Sequence, residues 1–274
     1  MTLSALASLM AVLIAAPALP GIANRVKSML TGRRGAPAMQ LYFDLWKLMR
    51  KGVVYSRTTT IVFRLAPVVL VSTVLLAACF LPLDGTTAPL QFTGDLVAFA
   101  GLLALGRFFL VLAAMDTGSS FEGMGASREV TIAAFAEPAL LLCFTILVLA
   151  TGDLRLQNML GRPLATAWSA AAPSLLLGAA GLFILSLAET CRVPVDDPLT
   201  HLELTMIHEV MVLDHSGPLF AAVLQGAAIK LFVLSAVLVG VVESVIARLR
   251  LTHVPNLLLA ACLLSAFGLL LLVR

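Results

Sequence analysis

The sequence predicts an all-α fold, a polytopic bundle of transmembrane helices making one integral membrane domain over residues 1–274. Three observations lead there. Of 274 residues, 60% are hydrophobic and only 12% charged, about half the charged share of a water-soluble domain. The mean hydropathy is +1.03. Seven apolar stretches approach the roughly 20 residues that a helix needs to cross about 30 Å of hydrocarbon. A formal charge of +3 with no basic stripe speaks against nucleic acid as a partner and leaves the lipid bilayer as the solvent.

The expected spans run over Leu3–Ile22, Ile61–Pro82, Leu96–Met115, Val130–Ala150, Trp168–Leu187, Gly217–Ala247 and Pro255–Val273. The first is read as a retained span and not a signal peptide, because Arg25, Lys27, Arg33 and Arg34 follow the apolar stretch and none precedes it. The sixth is long for one crossing and short for two. Eight of the eighteen basic residues fall between Arg25 and Arg57, and none falls between Leu83 and Gly94. Positive-inside counting therefore places the first loop in the cytoplasm and the N-terminus outside. Arg248 and Arg250 then fall outside, against that rule.

Within the first loop, residues 35–51 predict an amphipathic helix lying along the membrane. Pro37 suits a first helical position. Leu41, Leu45, Leu48 and Met49 recur at helical spacing opposite Gln40, Asp44, Lys47 and Lys51. Such a helix anchors at the interface or docks a cytoplasmic subunit, and both roles fit the pattern.

Two cytoplasmic segments, 116–129 and 188–216, hold most of the acidic groups. The first contains Gly118, Gly123 and Gly125, which favour a compact turn. It ends in Ser127, a fair N-cap for the fourth span, with Glu129 in the first turn beside the helix dipole. In the second, Thr200 and Glu203 have capping-box spacing. His201, His208 and His215 recur every seven residues, but that interval puts them about 10 Å apart on a helix, too far for one metal ion. No metal site is expected. Cys79, Cys143, Cys191 and Cys262 form no closely spaced pair, so the chain is expected to hold no iron–sulfur cluster of its own.

Arg107, Glu137, Lys230 and Glu243 lie inside spans. A charge at a helix centre costs about 2.5–3.5 kcal/mol on insertion scales, so such groups face a bundle interior or a water path and pair with one another. Arg64 and Glu243, nearer span ends, can snorkel. For Glu137 and Lys230 two roles stand side by side, a proton path and a structural ion pair.

Several stretches carry a resemblance. They are Arg33-Arg34-Gly35 with Gln40, Tyr42, Asp44 and Leu45, Arg64-Leu65-Ala66-Pro67, Glu137 in the fourth span, and Ala188-Glu189-Thr190 through Arg192, Pro194 and Asp196. Ser216-Gly217 before the next span completes the set. Together they resemble the membrane subunit shared by respiratory complex I, its subunit 1 family, and the membrane-bound energy-converting NiFe hydrogenases, including formate hydrogenlyase. Asp116-Thr117-Gly118-Ser119 and Gly125-Ala126-Ser127-Arg128-Glu129 resemble the hydrogenase branch in particular. The chain departs from relatives in two places. Leu199, Thr200, His201 and Leu202 stand where the quinone branch is more acidic, and seven spans are expected where relatives have eight.

The resemblance implies a non-catalytic subunit of an oxidoreductase complex. It would dock an iron–sulfur small subunit and a NiFe-type large subunit, whose 4Fe-4S clusters and NiFe centre do the redox chemistry, alongside antiporter-like membrane subunits. It would link their electron transfer to ion movement. The expected docking residues are Arg33, Arg34, Gln40, Asp44, Lys47, Lys51, Glu122, Arg128 and Arg192. The expected proton path uses Glu137, Glu189, Asp196, Glu203, Asp214 and Lys230. The alternatives are a quinone-reducing member of the same family, which would add a quinone, and a secondary transporter, which would bring broken helices or inverted halves; the sequence displays neither.

Overall fold

The computed structural model describes residues 3–32, 34–83, 88–192, 195–196 and 206–246. The seventh expected span, Arg33, Thr200, His201, Glu203, Arg248, Arg250 and the side chain of Glu243 lie outside the described residues. Among those described, every regular element is helical: α1 (Leu3–Ala15), α2 (Ala18–Leu30), α3 (Gln40–Met49), α4 (Ile61–Ala78), α5 (Asp95–Asp116), α6 (Ser120–Thr151), α7 (Leu156–Met159), α8 (Arg162–Glu189), α9 (His208–Met211) and α10 (Gly217–Ile246). Six stretches are long and apolar enough to cross a membrane: α1 with α2 over Ala7–Leu30, then α4, α5, α6, Ala171–Glu189 of α8, and Gly217–Val241 of α10. The polytopic helical bundle follows, and the chain is an integral membrane protein.

Five helices close a ring in the order α4, α5, α6, α8, α10 and back to α4. Chain direction alternates around part of it. Thr60, which caps α4, donates its N–H and hydroxyl to Asp116 at the end of α5, at 2.6 and 2.9 Å. At the opposite end, Leu156 N donates to Asp95 of α5 at 2.7 Å. The ring is filled by Phe99, Leu103, Phe144, Leu147, Leu175, Ile229 and Val233, all essentially inaccessible. Close packing of such side chains holds transmembrane helices together where water supplies no driving force.

The first span is not one straight helix. Pro17 lacks an N–H, so the Leu13 carbonyl loses its helical partner and the helix breaks between α1 and α2. Side chains from two other elements replace the lost bonds. Gln225 of α10 donates Nε2 to the Leu13 carbonyl at 2.8 Å, and the Tyr42 hydroxyl of α3 donates to the carbonyl of Ile14. A carbonyl left bare in lipid would cost several kcal/mol, so the break is held by α3 and α10. The sequence reading anticipated no broken helix; this span is one, with its carbonyls at the break turned to protein.

Three further boundaries differ from expectation. The amphipathic helix starts at Gln40, not at Pro37, whose carbonyl instead accepts the Gln40 N–H in a turn. Met49 is exposed and Asp44 half-buried, because Gln40 donates to Asp44 at 3.0 Å along the side that packs on α10. The fourth span begins at Ser120, ten residues earlier than expected. Gly118 alone makes the turn, at φ +71°, while Gly125 serves a helical purpose: a Cβ there would lie 3.0 Å from the Ile207 carbonyl oxygen and from Met211. Ser127 is therefore inside a helix, its hydroxyl donating to the Met124 carbonyl, and caps nothing. The long sixth stretch is one continuous helix, α10, of 30 residues.

Candidate functional site: a charge cluster inside the ring

Five ionisable side chains from four helices form one cluster, four of them inside the ring and Glu137 at its wall: Arg107 of α5, Glu129 and Glu137 of α6, Glu189 of α8 and Lys230 of α10. Glu189 is the hub. Its Oε1 takes Arg107 Nη2 at 2.7 Å and its Oε2 takes Lys230 Nζ at 2.7 Å. Arg107 Nε lies 3.8 Å from Glu129, and its Nη2 lies 3.7 Å from Glu137. Side-chain exposures are 1% for Glu189, 8% for Arg107, 9% for Glu129 and 12% for Lys230, against 47% for Glu137. The first four are enclosed charges that compensate one another; Glu137 reaches the outer wall.

Local chain geometry builds the hub. α8 ends with Arg192 N donating to the Leu187 carbonyl and Cys191 N to the Ala188 carbonyl, the two reverse bonds of a Schellman ending. That ending requires a left-handed residue, normally glycine. Here it is Cys191, at φ +48°, a conformation that costs a side-chain-bearing residue about 1–2 kcal/mol. The conformation aims the thiol at Glu129, Sγ to Oε2 3.8 Å. Burial, and after it Glu129, pushes the Cys191 thiol above its ordinary value, so it remains a donor. Glu189 itself sits in the last turn of α8, where the helix dipole disfavours an anion; the two cations offset that. A cavity of about 50 Å³ opens beside them, lined by Arg107, Glu129, Glu189, Cys191, His208 and Lys230. Leu70, Leu110 and Ala227 make much of its wall apolar, but the charged groups that reach it and its size suit a water molecule. Burial, then Lys230, pulls His208 down to about 4, so it is neutral at neutral pH.

The structure gathers three of the expected proton-path residues, Glu137, Glu189 and Lys230, into this cluster. Asp196 stands at its edge, its carboxylate accepting the N–H groups of Ile207 and His208 at 3.1–3.3 Å, and so fixes the chain that carries His208. Asp214 is exposed and elsewhere: its N–H donates to Glu122 at 3.1 Å. Among the expected docking residues, Arg34, Lys47 and Lys51 are exposed, Gln40 and Asp44 are half-buried along α3, and Arg192 is half-buried beyond α8. Arg128 donates Nη1 to the Met206 carbonyl at 2.9 Å. Glu122 is fully enclosed and presents no carboxylate to a docking surface; it braces residue 214 from within.

Two members of the cluster were missed as site residues. Arg107 was visible as an intramembrane charge but had no partner in the sequence. A helix start at Val130 makes Glu129 a cap; with the actual start at Ser120, Glu129 lies two turns into α6 and is buried. Among the described residues no three His, Cys, Asp or Glu side chains converge as metal ligands. Cys79 and Cys143 are free, buried thiols and Cys191 is a free, half-buried one.

Comparison with known proteins accords with this architecture. The chain is 34% identical over 236 residues to hydrogenase-4 component C of Escherichia coli, covering 86% of this chain and 73% of that protein. It is 32% identical over 226 residues to formate hydrogenlyase subunit 4 of the same organism, covering 82% and 72%. Its fold matches a chain in the structure of the membrane-bound sulfane sulfur reductase, an archaeal respiratory membrane complex. That match has a TM-score of 0.72 and 20% identity, and covers 86% of this chain and 77% of that one. The NADH dehydrogenase family model matches residues 3–244, and the chain belongs to that family.

Proposed function

We propose that this chain is the membrane subunit of a complex I-like, hydrogenase-type assembly of the formate hydrogenlyase or hydrogenase-4 kind. It anchors an iron–sulfur subunit and a NiFe-type subunit at the end of the bundle bearing α3, and couples their electron transfer to proton movement. The positive-inside count supports a cytoplasmic position for that end and an outside N-terminus. The hydrogenase-type relatives, each covered over more than two-thirds of its length, support the assembly. One observation carries the coupling: Glu129, Arg107, Glu189 and Lys230 form a compensated, solvent-poor chain of charges that lines a small cavity inside the membrane ring.

A change in redox charge in a docked subunit moves a proton here only if it alters proton binding between two states. Enclosed charges meet that requirement, because few screening waters separate them from their surroundings. Segment 206–216 supplies the lever. It carries His208 into the cavity and is tied to Asp196, Arg128 and Glu122, so a partner pressing on it shifts groups beside Lys230. The NiFe and 4Fe-4S centres supply electron transfer from the partner subunits; this chain's residues hold and pass the proton.

The test uses membranes containing the whole complex. Glu129→Gln keeps size and packing, and is expected to leave hydrogen-evolving electron transfer within about twofold while proton uptake into sealed vesicles falls at least about tenfold. Unchanged proton uptake removes Glu129 from the path. If the native polypeptide purifies as a carrier that works without any metalloprotein, the whole reading is wrong.

A further inference from the structure

Glu137 is out of place. It lies about 25 Å along α6 from Ser120, inside a membrane span, yet nearly half of its side chain is exposed on the outer wall. Around it a groove of about 190 Å³ runs between α5 and α6, lined by Val97, Ala100, Gly101, Ala104, Glu137 and Leu141. Ala100 and Gly101 in one turn of α5 and Ala104 in the next make a small stretch of its floor, with Leu103 and Arg107 beside them. Small residues let another helix approach closely in lipid. The charge balance adds a requirement. Arg107 and Lys230 are matched by Glu129 and Glu189, which leaves Glu137 as a third carboxylate in excess of the two cations, its nearest cation, Arg107 at 3.7 Å, already serving Glu189 at 2.7 Å. A carboxylate facing hydrocarbon is costly, and such groups pair with a partner.

We infer that this groove seats a transmembrane helix of a second membrane subunit, and that a lysine, arginine or histidine on that helix meets Glu137. The small floor admits the helix backbone, and the carboxylate selects the basic side chain. Glu137 then bridges the inner cluster to the neighbour, so the cluster's charge is completed across the interface. The inference rests on the multisubunit reading above and names one of its contacts.

The experiment places a photo-crosslinking amino acid at Leu141 or Val97, both exposed on the groove, in the whole complex within native membranes. Leu177, 73% exposed on α8, is the control position. The expected result is a crosslink from Leu141 and Val97, and not from Leu177, to another integral membrane subunit, with a Lys, Arg or His within one helical turn of the crosslinked residue. As a second arm, Glu137→Lys should lower recovery of that subunit at least tenfold, and exchanging the partner's basic residue for Glu should restore it. Crosslinks only to lipid, to a second copy of this chain, or to a helix without a basic residue there overturn the inference. A chain that retains its iron–sulfur partner while Leu141 and Val97 crosslink to no membrane subunit overturns the inference alone. A chain with no metalloprotein partner overturns the function reading instead.

Discussion

Lys230 and Glu189 meet at 2.7 Å in the middle of the ring, one from α10 and one from the last turn of α8. These two helices pack together, and the pair settles which side of each faces inward. A buried pair of this kind contributes little net stability, but removal of one member leaves a bare charge.

Lys230→Met is therefore expected to destabilise the protein by roughly 3–5 kcal/mol, whereas Lys230→Arg retains most of the stability. Pairing Lys230→Met with Glu189→Gln should recover part of the loss, because the carboxylate no longer stands in excess. Thermal unfolding of the detergent-solubilised variants measures this. A double variant as unstable as the sum of the two singles shows that the two side chains do not compensate one another.

The break at Pro17 predicts a coupling between distant parts of the chain. Tyr42→Phe and Gln225→Leu each leave a carbonyl of α1 without its donor, at a cost of about 1–3 kcal/mol each. Because both side chains brace the same turn, the double variant should lose measurably less than the two losses combined. A thermal-shift double-mutant cycle reads the coupling, and strict additivity shows the two bonds to be independent.

His215 predicts a pH dependence. It is 5% exposed and stacked on Phe63 with ring centroids 4.1 Å apart. Burial pulls it down to about 4, with the Phe63 backbone and then Asp214 opposing; of the other carboxylates at this end, Glu122 accepts the Asp214 N–H and Asp116 is taken by Thr60. A folded-state value below the unfolded one means full stability above about pH 6.5. As pH falls from about 6.5 toward 4 the unfolded chain takes up a proton that the folded chain refuses, and stability declines by up to about 3 kcal/mol. His215→Phe should flatten that part of the stability curve relative to the native chain, since a phenyl ring keeps the stack and titrates nothing. An unaltered slope in this variant assigns the pH dependence to other groups.

The sequence by itself determined the fold class and most of the spans, because the bilayer imposes a length and a composition that can be read locally. It also singled out Glu137 and Lys230, since a charge in an apolar run stands out without knowledge of any neighbour. Only the tertiary structure decided their partners. Lys230 pairs with Glu189 and not with Glu137, and Arg107 joins Glu129 and Glu137 of α6, because pairing depends on which helix faces face each other around the ring. Local chemistry misled where packing overrode it. Gly123 and Gly125 looked like turn residues, but Gly125 lies in a helix so that the chain at Ile207 and Met211 can come close, and this turned Glu129 from a cap into a core charge. The left-handed Cys191 and the stapled break at Pro17 were equally hidden. One ends a helix without glycine, and the other is held by side chains 28 and 212 residues away in sequence. Contacts over such separations leave no periodic trace in the chain.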